Sequence, residues 1–289
     1  MNINIISGEK IQEIANIYLG INNDINNNSY FYNQTNKYKN MLDINSNYDN
    51  PKIVFCYGYQ INILSDKLKY FTNDFILITH NSDKNMIDND TYIKNIYNCS
   101  KLLKWFSQNL CFEHSKLFLL PIGIANNQWK HGSSFHIYYN TLTNTLTNTS
   151  NTIQENKKSK SIYFFFEIST NKEKRQNCYN SVIKKIQFLN KISEYENFKR
   201  LSEYEFCICP EGNGVDTHRF WEALYLKCIP IVVNSQFIDI IKKNINVPMI
   251  ILNSWDELDI NNLQEYNTFD FTDNEKYLNL DYYLDKIKE

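Results

Sequence analysis

Short apolar runs alternate with amphipathic stretches along almost the whole chain, and this alternation limits the folds open to it. The runs INIIS (3–7), KIVFCY (52–57), FILIT (75–79) and LFLLPI (117–122) are separated by stretches of helical spacing such as GEKIQEIANIYL (8–19) and CSKLLKWFSQNL (99–110). The pattern resumes with SIYFFFEIS, a helix near 173–190, YEFCIC, a helix from 217, IPIVV, a helix near 235–243 and PMIIL. Strands that alternate with helices are joined by right-handed crossovers into parallel sheets. The expectation is therefore α/β, with two Rossmann-like domains whose parallel sheets face each other across a cleft. Residues 1–139 form the first domain and 161–270 the second. Residues 140–160, which include NTLTNTLTNTSNT, lack a useful periodicity and read as a linker. Residues 271–289 read as a helical tail that can pack on either domain.

Composition narrows the class. With 43% hydrophobic and 15% aromatic residues in 289, the chain is globular in type, and a net charge of -2 gives no general attraction to nucleic acid. The seven cysteines form no CxxC pair, which suggests reduced thiols; Cys207 and Cys209 read as packing residues. The N-terminus shows no leader pattern and no run reaches 18 apolar residues. A cytoplasmic protein without a membrane span is expected.

The sharpest local signal is CICPEGNGVDTHRFWEAL (207–224). A chain with only seven glycines and five prolines places Pro210, Gly212 and Gly214 within five positions, between a strand and a helix. Glycines let backbone amides approach a ligand, and the start of a helix favours an anion. His218 and Arg219 follow in the first turn, and Glu222 comes four and three residues later, so the three can share a face. Arg219 suits a bidentate phosphate contact and Glu222 suits a ribose diol, which together describe a nucleotide diphosphate. The loop lacks the GK[ST] of a P-loop and the third glycine of a dinucleotide fingerprint. A tight strand–helix turn carrying a surface Arg219–Glu222 ion pair is the plainer alternative.

Other segments offer candidates. STNKEKR (169–175) follows a strand; its first residues can cap a helix, and Arg175 can reach a donor phosphate. Gly8-Glu9, Tyr57-Gly58, His80-Asn81-Ser82-Asp83 and Gly123 each follow an apolar run and fall on one sheet edge, which makes Glu9, Asn81 and Trp129 acceptor-side candidates. His80 or Asp83 can serve as general base, or HNSD can be a capped turn. Trp129 and His131 either stack on a sugar or belong to a loop anchored by a buried tryptophan. Asp88-Asn89-Asp90 forms a DxD, but such triplets arise readily in a chain this rich in asparagine, and no metal is expected.

YEFCICPEGNGVDTHRFWEALYLKCIPIVV resembles the nucleotide-sugar motif of exostosin-like glycosyltransferases of the GT-B fold and, more distantly, that of α-1,3-fucosyltransferases. Lys227-Cys228 stands where those families usually carry Gly-Cys. FILITHNSD, KWFSQN, LPIGIANNQWKHG and STNKEKR look like segments of viral and bacterial members. The resemblance implies transfer of a sugar from a nucleotide diphosphate sugar, UDP-linked by preference or GDP-linked, to a hydroxyl of a glycan or protein acceptor. The donor would bind on the second domain through Arg175, Pro210, Glu211, Gly212, Asn213, Gly214, Asp216, Thr217, His218, Arg219 and Glu222. The acceptor would bind on the first, and no metal or other cofactor is implied. The alternative is a non-catalytic nucleotide- or glycan-binding protein of the same fold.

Overall fold

The computed structural model describes residues 3–20, 38–40, 52–148, 158, 160–263 and 271–289. Parts of the expected linker (149–157 and 159) lie outside them. The described strands form two wholly parallel sheets. The first has six strands: β1 (Ile17–Gly20), β2 (Tyr38–Asn40), β3 (Lys52–Tyr57), β4 (Phe75–His80), β5 (Leu102–Ser107) and β6 (Leu117–Leu119), in the order β2-β1-β3-β4-β5-β6. The second runs β7 (Lys160–Tyr163), β8 (Tyr204–Ile208), β9 (Ile229–Val233) and β10 (Ile250–Leu252), side by side in chain order. The protein is thus α/β with two Rossmann-like sheets in a GT-B-like arrangement.

Strands of parallel sheets are covered on both faces and so read as continuous apolar runs. Along β3, Val54 and Cys56 enter the main core while Phe55 and Tyr57 face a second one. That second core is closed by α1 (Gly8–Ile14) and by the terminal helix α9 (Leu280–Lys288), whose Leu280, Tyr283 and Ile287 pack beside Ile6, Tyr18 and Phe55. The tail therefore returns to the first sheet. Helices α2 (Ile61–Lys67) and α3 (Thr91–Tyr97) lie against the other face. Asp90 caps α3 by accepting from the Tyr92 and Ile93 amides and pairs with Lys84 at 2.7 Å, while Asp88 accepts from the Tyr97 hydroxyl. The DxD is a helix cap.

Three local expectations change. The stretch 8–19 is helical only to Ile14, and IYLG then enters the sheet as β1 with all four residues buried. CSKLLKWFSQNL contains β5: Trp105 and Phe106 are consecutive and both buried, on opposite faces of a sheet interior, which a one-faced helix would not allow. Residues 3–7 make single bridges, Ile5 to Asn279 and Ser7 to Ile124, instead of a strand.

Helix α4 (Lys130–Asn148) runs into the segment expected to be a linker. Its threonines hide the helical period: Thr141 and Thr143 return hydrogen bonds to the Ile137 and Tyr139 carbonyls, 2.8 and 3.0 Å away, while Leu142 still reaches the core. The chain re-enters the second unit at Lys158, whose ammonium donates to the carbonyls of Ser202, Tyr204 and Leu226 at 2.8–3.0 Å. There α5 (Lys172–Val182) covers the outer face, and α6 (Glu194–Leu201), α7 (His218–Tyr225) and α8 (Gln236–Asn244) lie toward the first sheet.

Helix α7 sits between the sheets. Its residues from Phe220 through Tyr225 are all buried, which marks a helix enclosed on every side. The Tyr225 hydroxyl accepts from the Ile6 amide at 2.9 Å and donates to the Leu278 carbonyl at 2.6 Å, bolting α7 to the first unit and the tail. Among the described residues no helix is long and apolar enough to cross a membrane.

Candidate functional site

The carboxyl ends of both sheets open on one cleft of about 410 Å³, within the range of small-molecule sites. Arg175, Gly212, Asn213, Gly214, Asp216, Thr217, His218, Arg219 and Glu222 line it from the second unit, and Asp83, Ile122 and His131 from the first. An adjoining cavity of about 200 Å³ is lined by His80, Asn81, Ser82, Asp83, Asn126 and Trp129, among others, and also by His218. The sequence-derived candidates of the two halves are thus brought face to face.

Arg175 comes from α5. Its Nε donates to the Glu211 carbonyl at 3.0 Å and its Nη1 to the Glu167 carbonyl at 2.8 Å, so it staples the glycine loop to the exit of β7. Its guanidinium lies over the Phe166 ring at 5.7 Å, and burial together with the like charge of Arg219 lowers its pKa. Arg219 lies over the Tyr163 ring at 5.3 Å, with Nε 3.1 Å from Glu222 Oε2. Burial opposes its charge, but Tyr163 and Glu222 outweigh that and raise its pKa. Arg219 Nη1 has no hydrogen-bond partner among the described residues. Two guanidinium groups therefore converge on one cleft, and among the described residues no carboxylate bridges them.

Glu222 is placed otherwise than a ribose ligand requires. Its side chain is 1% exposed, Oε1 meets His131 Nε2 at 2.6 Å, and Oε2 faces Arg219. Burial pushes its pKa up, but His131 and then Arg219 hold it down at about 2. Its task in this geometry is to orient Arg219 and tie α7 to α4.

The glycine loop also differs from an open amide cradle. The Val215 amide donates to Asn85 Oδ1 at 3.2 Å, the Asp216 amide to Asn109 Oδ1 at 2.9 Å and the Gly212 amide to the Gly214 carbonyl at 3.2 Å. A Cβ at Gly214 would lie 2.6 Å from Asn109 Oδ1, so this glycine admits a side chain of the first unit. A Cβ at Gly212 would meet Arg175 Nη2 at 3.3 Å. Asp216 takes the Ile122 amide and Trp221 Nε1, each at 2.7 Å; burial raises its pKa to about 7 against these donors, which favour the anion. Pro210 and Glu211 turn away from the cleft and line a separate cavity of about 380 Å³ with Val232, Ser235 and Trp255. Glu211 pairs there with Lys174.

On the acceptor side, His80 is 1% exposed, with Nε2 3.0 Å from the Pro121 carbonyl; burial lowers its pKa to about 4. Asn81 adopts φ 55° and donates to the Gly8 carbonyl and Gln12 Oε1. Glu9 accepts from the Asn127 amide at 2.9 Å and holds the loop before α4 without lining either cavity. Trp129 is no buried anchor: it is 62% exposed at the smaller cavity. His131 faces Glu222. Asp83 is exposed and lines both cavities.

Sequence reading missed Asn85, Asn109 and Ile122, which lock the loop. Asparagine is too common here to stand out, although Asn109, at φ 56°, occupies a left-handed position that asparagine tolerates.

No protein-family model matches the chain. A stretch of 52 residues is 38% identical to a probable glycosyltransferase of Arabidopsis thaliana; it is 18% of this chain and 10% of that protein's own length. The chain thus carries a glycosyltransferase-like segment on a two-sheet α/β scaffold.

Proposed function

We propose that this protein is a glycosyltransferase, of the exostosin-like kind, that moves a sugar from a nucleotide diphosphate sugar to an acceptor hydroxyl. The carrying observation is the convergence of Arg175 and Arg219 on a cleft between two parallel sheets, with Arg219 Nη1 lacking a hydrogen-bond partner among the described residues. Two neighbouring guanidinium groups in a partly dry cleft favour an anion of more than one charge, and a diphosphate leaving group supplies it. Preorganised cations of this sort stabilise the charge that develops as the leaving group departs, which is the work a metal does in other transferases. The donor occupies the larger cleft, with its diphosphate against Arg175, Arg219 and the Gly212–Gly214 loop. The acceptor enters the cavity floored by Asn81 and flanked by Trp129. UDP-sugars are the favoured donors, because the strand–loop–helix stretch from Tyr204 to Val233 resembles the exostosin motif most closely; GDP-sugars are the second choice.

A thermal-shift panel of UDP- and GDP-sugars, followed by measurement of nucleoside diphosphate release with and without sugar acceptors, tests the reading. At a hundred times its dissociation constant a ligand adds about 2.7 kcal/mol of stability, a shift of roughly 4–5 °C for a chain this long. One nucleotide class should give that shift and release diphosphate faster when an acceptor is present. A panel in which no nucleotide sugar raises the melting temperature contradicts the proposal. Binding without release would make the protein a non-catalytic receptor.

A further inference from the structure

His218 opens helix α7, and it stands on the seam between the two cavities. The larger cleft and the smaller cavity share three lining residues: Asp83, Ile122 and His218. If the donor fills one and the acceptor the other, bonds are made and broken at that seam. His218 is held there in a defined state. Its Nδ1 lies 2.8 Å from the Gly123 carbonyl oxygen. A carbonyl only accepts, so Nδ1 carries the proton and the neutral ring keeps its lone pair on Nε2. The carbonyl is itself fixed. Gly123 has φ +64°, a Cβ there would meet the Ile6 carbonyl oxygen at 2.3 Å, and the next residue donates its amide to that same oxygen at 2.8 Å.

The other candidates at or beside the seam are less suited to take a proton. His80 spends Nε2 on the Pro121 carbonyl and is enclosed. Ile122 has no titratable group. Asp83 is exposed, and water competes for its carboxylate.

Building on the transferase reading, we propose that His218 is the catalytic base of the transfer, accepting the acceptor's hydroxyl proton on Nε2. As that O–H bond breaks, the oxygen forms its bond to the anomeric carbon of the donor. The anomeric carbon–oxygen bond to the diphosphate breaks, and its electron pair leaves on the phosphate oxygen, toward Arg175 and Arg219. The imidazolium so formed faces the carboxylates of Asp83 and Glu222, which favour it, and His131 and His80, which do not; it returns its proton to water through the open side of the cavity. Burial lowers the pKa of His218 from 6.5, so the ring is free to accept a proton at neutral pH.

The test uses the full chain, with UDP-glucose, UDP-N-acetylglucosamine, UDP-galactose, GDP-fucose and GDP-mannose as donors and methyl glycosides or water as acceptors. His218→Gln keeps a side-chain N–H for the Gly123 carbonyl but lacks a base. It should lower turnover by about 10²–10⁴-fold, change UDP or GDP affinity less than threefold, and abolish the fall in rate that wild type shows as pH drops below 6.5. Asp83→Asn, an exposed change that leaves the core intact, should keep that acid limb and move it to lower pH, because one carboxylate facing the imidazolium is gone. Turnover of His218→Gln within threefold of wild type, or an acid limb that Asp83→Asn does not move, overturns the assignment of the base while leaving the transferase reading in place. Wild type that binds UDP or GDP but turns over none of the donors ends the catalytic reading and the base with it. Wild type that binds neither removes the nucleotide site itself.

Discussion

Gly214 and Asn109 interlock across the two halves of the molecule: a Cβ at position 214 would lie 2.6 Å from Asn109 Oδ1 and 3.0 Å from Nδ2. Asn109 Oδ1 accepts the Asp216 amide at 2.9 Å while its Nδ2 donates to the Ser82 carbonyl at 2.8 Å. One side chain thereby ties the loop that leads into α7, the helix of Arg219, to the turn that bears Asp83. Gly214→Ala should destabilise the protein by about 1–3 kcal/mol through overpacking. Asn109→Gly should cost about as much, by leaving the buried Asp216 amide without its partner. The two changes share one contact, so the double variant should be more stable than their sum by at least about 1 kcal/mol, as read from urea midpoints. Additive losses would mean that the glycine serves something other than this approach.

The buried Glu222 sets an acid limb for stability. Its folded pKa is held at about 2, below the ordinary 4.5. A depressed carboxylate contributes stability that is present above the unfolded pKa and lost as pH falls through the folded one. The shift corresponds to about 3 kcal/mol at pH 6 and about half of that at pH 3. Glu222→Gln should therefore be less stable than wild type by about 3 kcal/mol at pH 6, with the gap narrowing below pH 4.5. Denaturant titrations at pH 6, 4.5 and 3 check this, and a gap independent of pH would contradict the ion-pair geometry.

Lys158 joins three carbonyls at the point where the chain enters the second sheet. Hydrogen bonds to a charged group contribute more than neutral ones, so Lys158→Met should lower stability by about 2–4 kcal/mol in urea unfolding. A loss below 0.5 kcal/mol would show that those carbonyls need no ammonium.

Trp129 is largely solvent-exposed, so Trp129→Ala should leave stability within about 0.5 kcal/mol. An aromatic platform under a sugar contributes about 0.5–1.5 kcal/mol, so the acceptor KM should rise about three- to tenfold while nucleotide affinity holds. Equal KM values would remove Trp129 from the acceptor cavity.

The parallel sheets were legible in the sequence because strands buried on both faces are largely apolar, and FILIT, YEFCIC and IPIVV are, Glu205 and Thr79 excepted. Asp83 reaches the cleft because it lies just beyond such a run, and Arg175 and Arg219 because they lie in the first turns of the helices that follow two others. What stayed hidden came from contacts distant in sequence. Glu222 sits at helical spacing from His218 and Arg219, yet α7 is enclosed on all sides because α4 and the tail cover it, and His131 captures the carboxylate from 91 positions away. The loop amides looked free because no local pattern shows that Asn85 and Asn109 come to meet them. Lys227, where the resembling families carry glycine, takes φ 56°, the left-handed backbone that glycine normally supplies.

The central claim is that Arg219 holds the diphosphate of a nucleotide in the cleft between the sheets. Calorimetric titration of UDP, GDP, uridine and guanosine into wild type and Arg219→Ala, in excess EDTA, tests it most directly. A charge-assisted contact contributes roughly 1.5–3 kcal/mol, so the variant should bind the preferred diphosphate about ten- to hundredfold more weakly and its nucleoside almost as well as wild type does. Equal affinity of the two proteins for the diphosphate, or binding that vanishes when EDTA is added, would contradict the account.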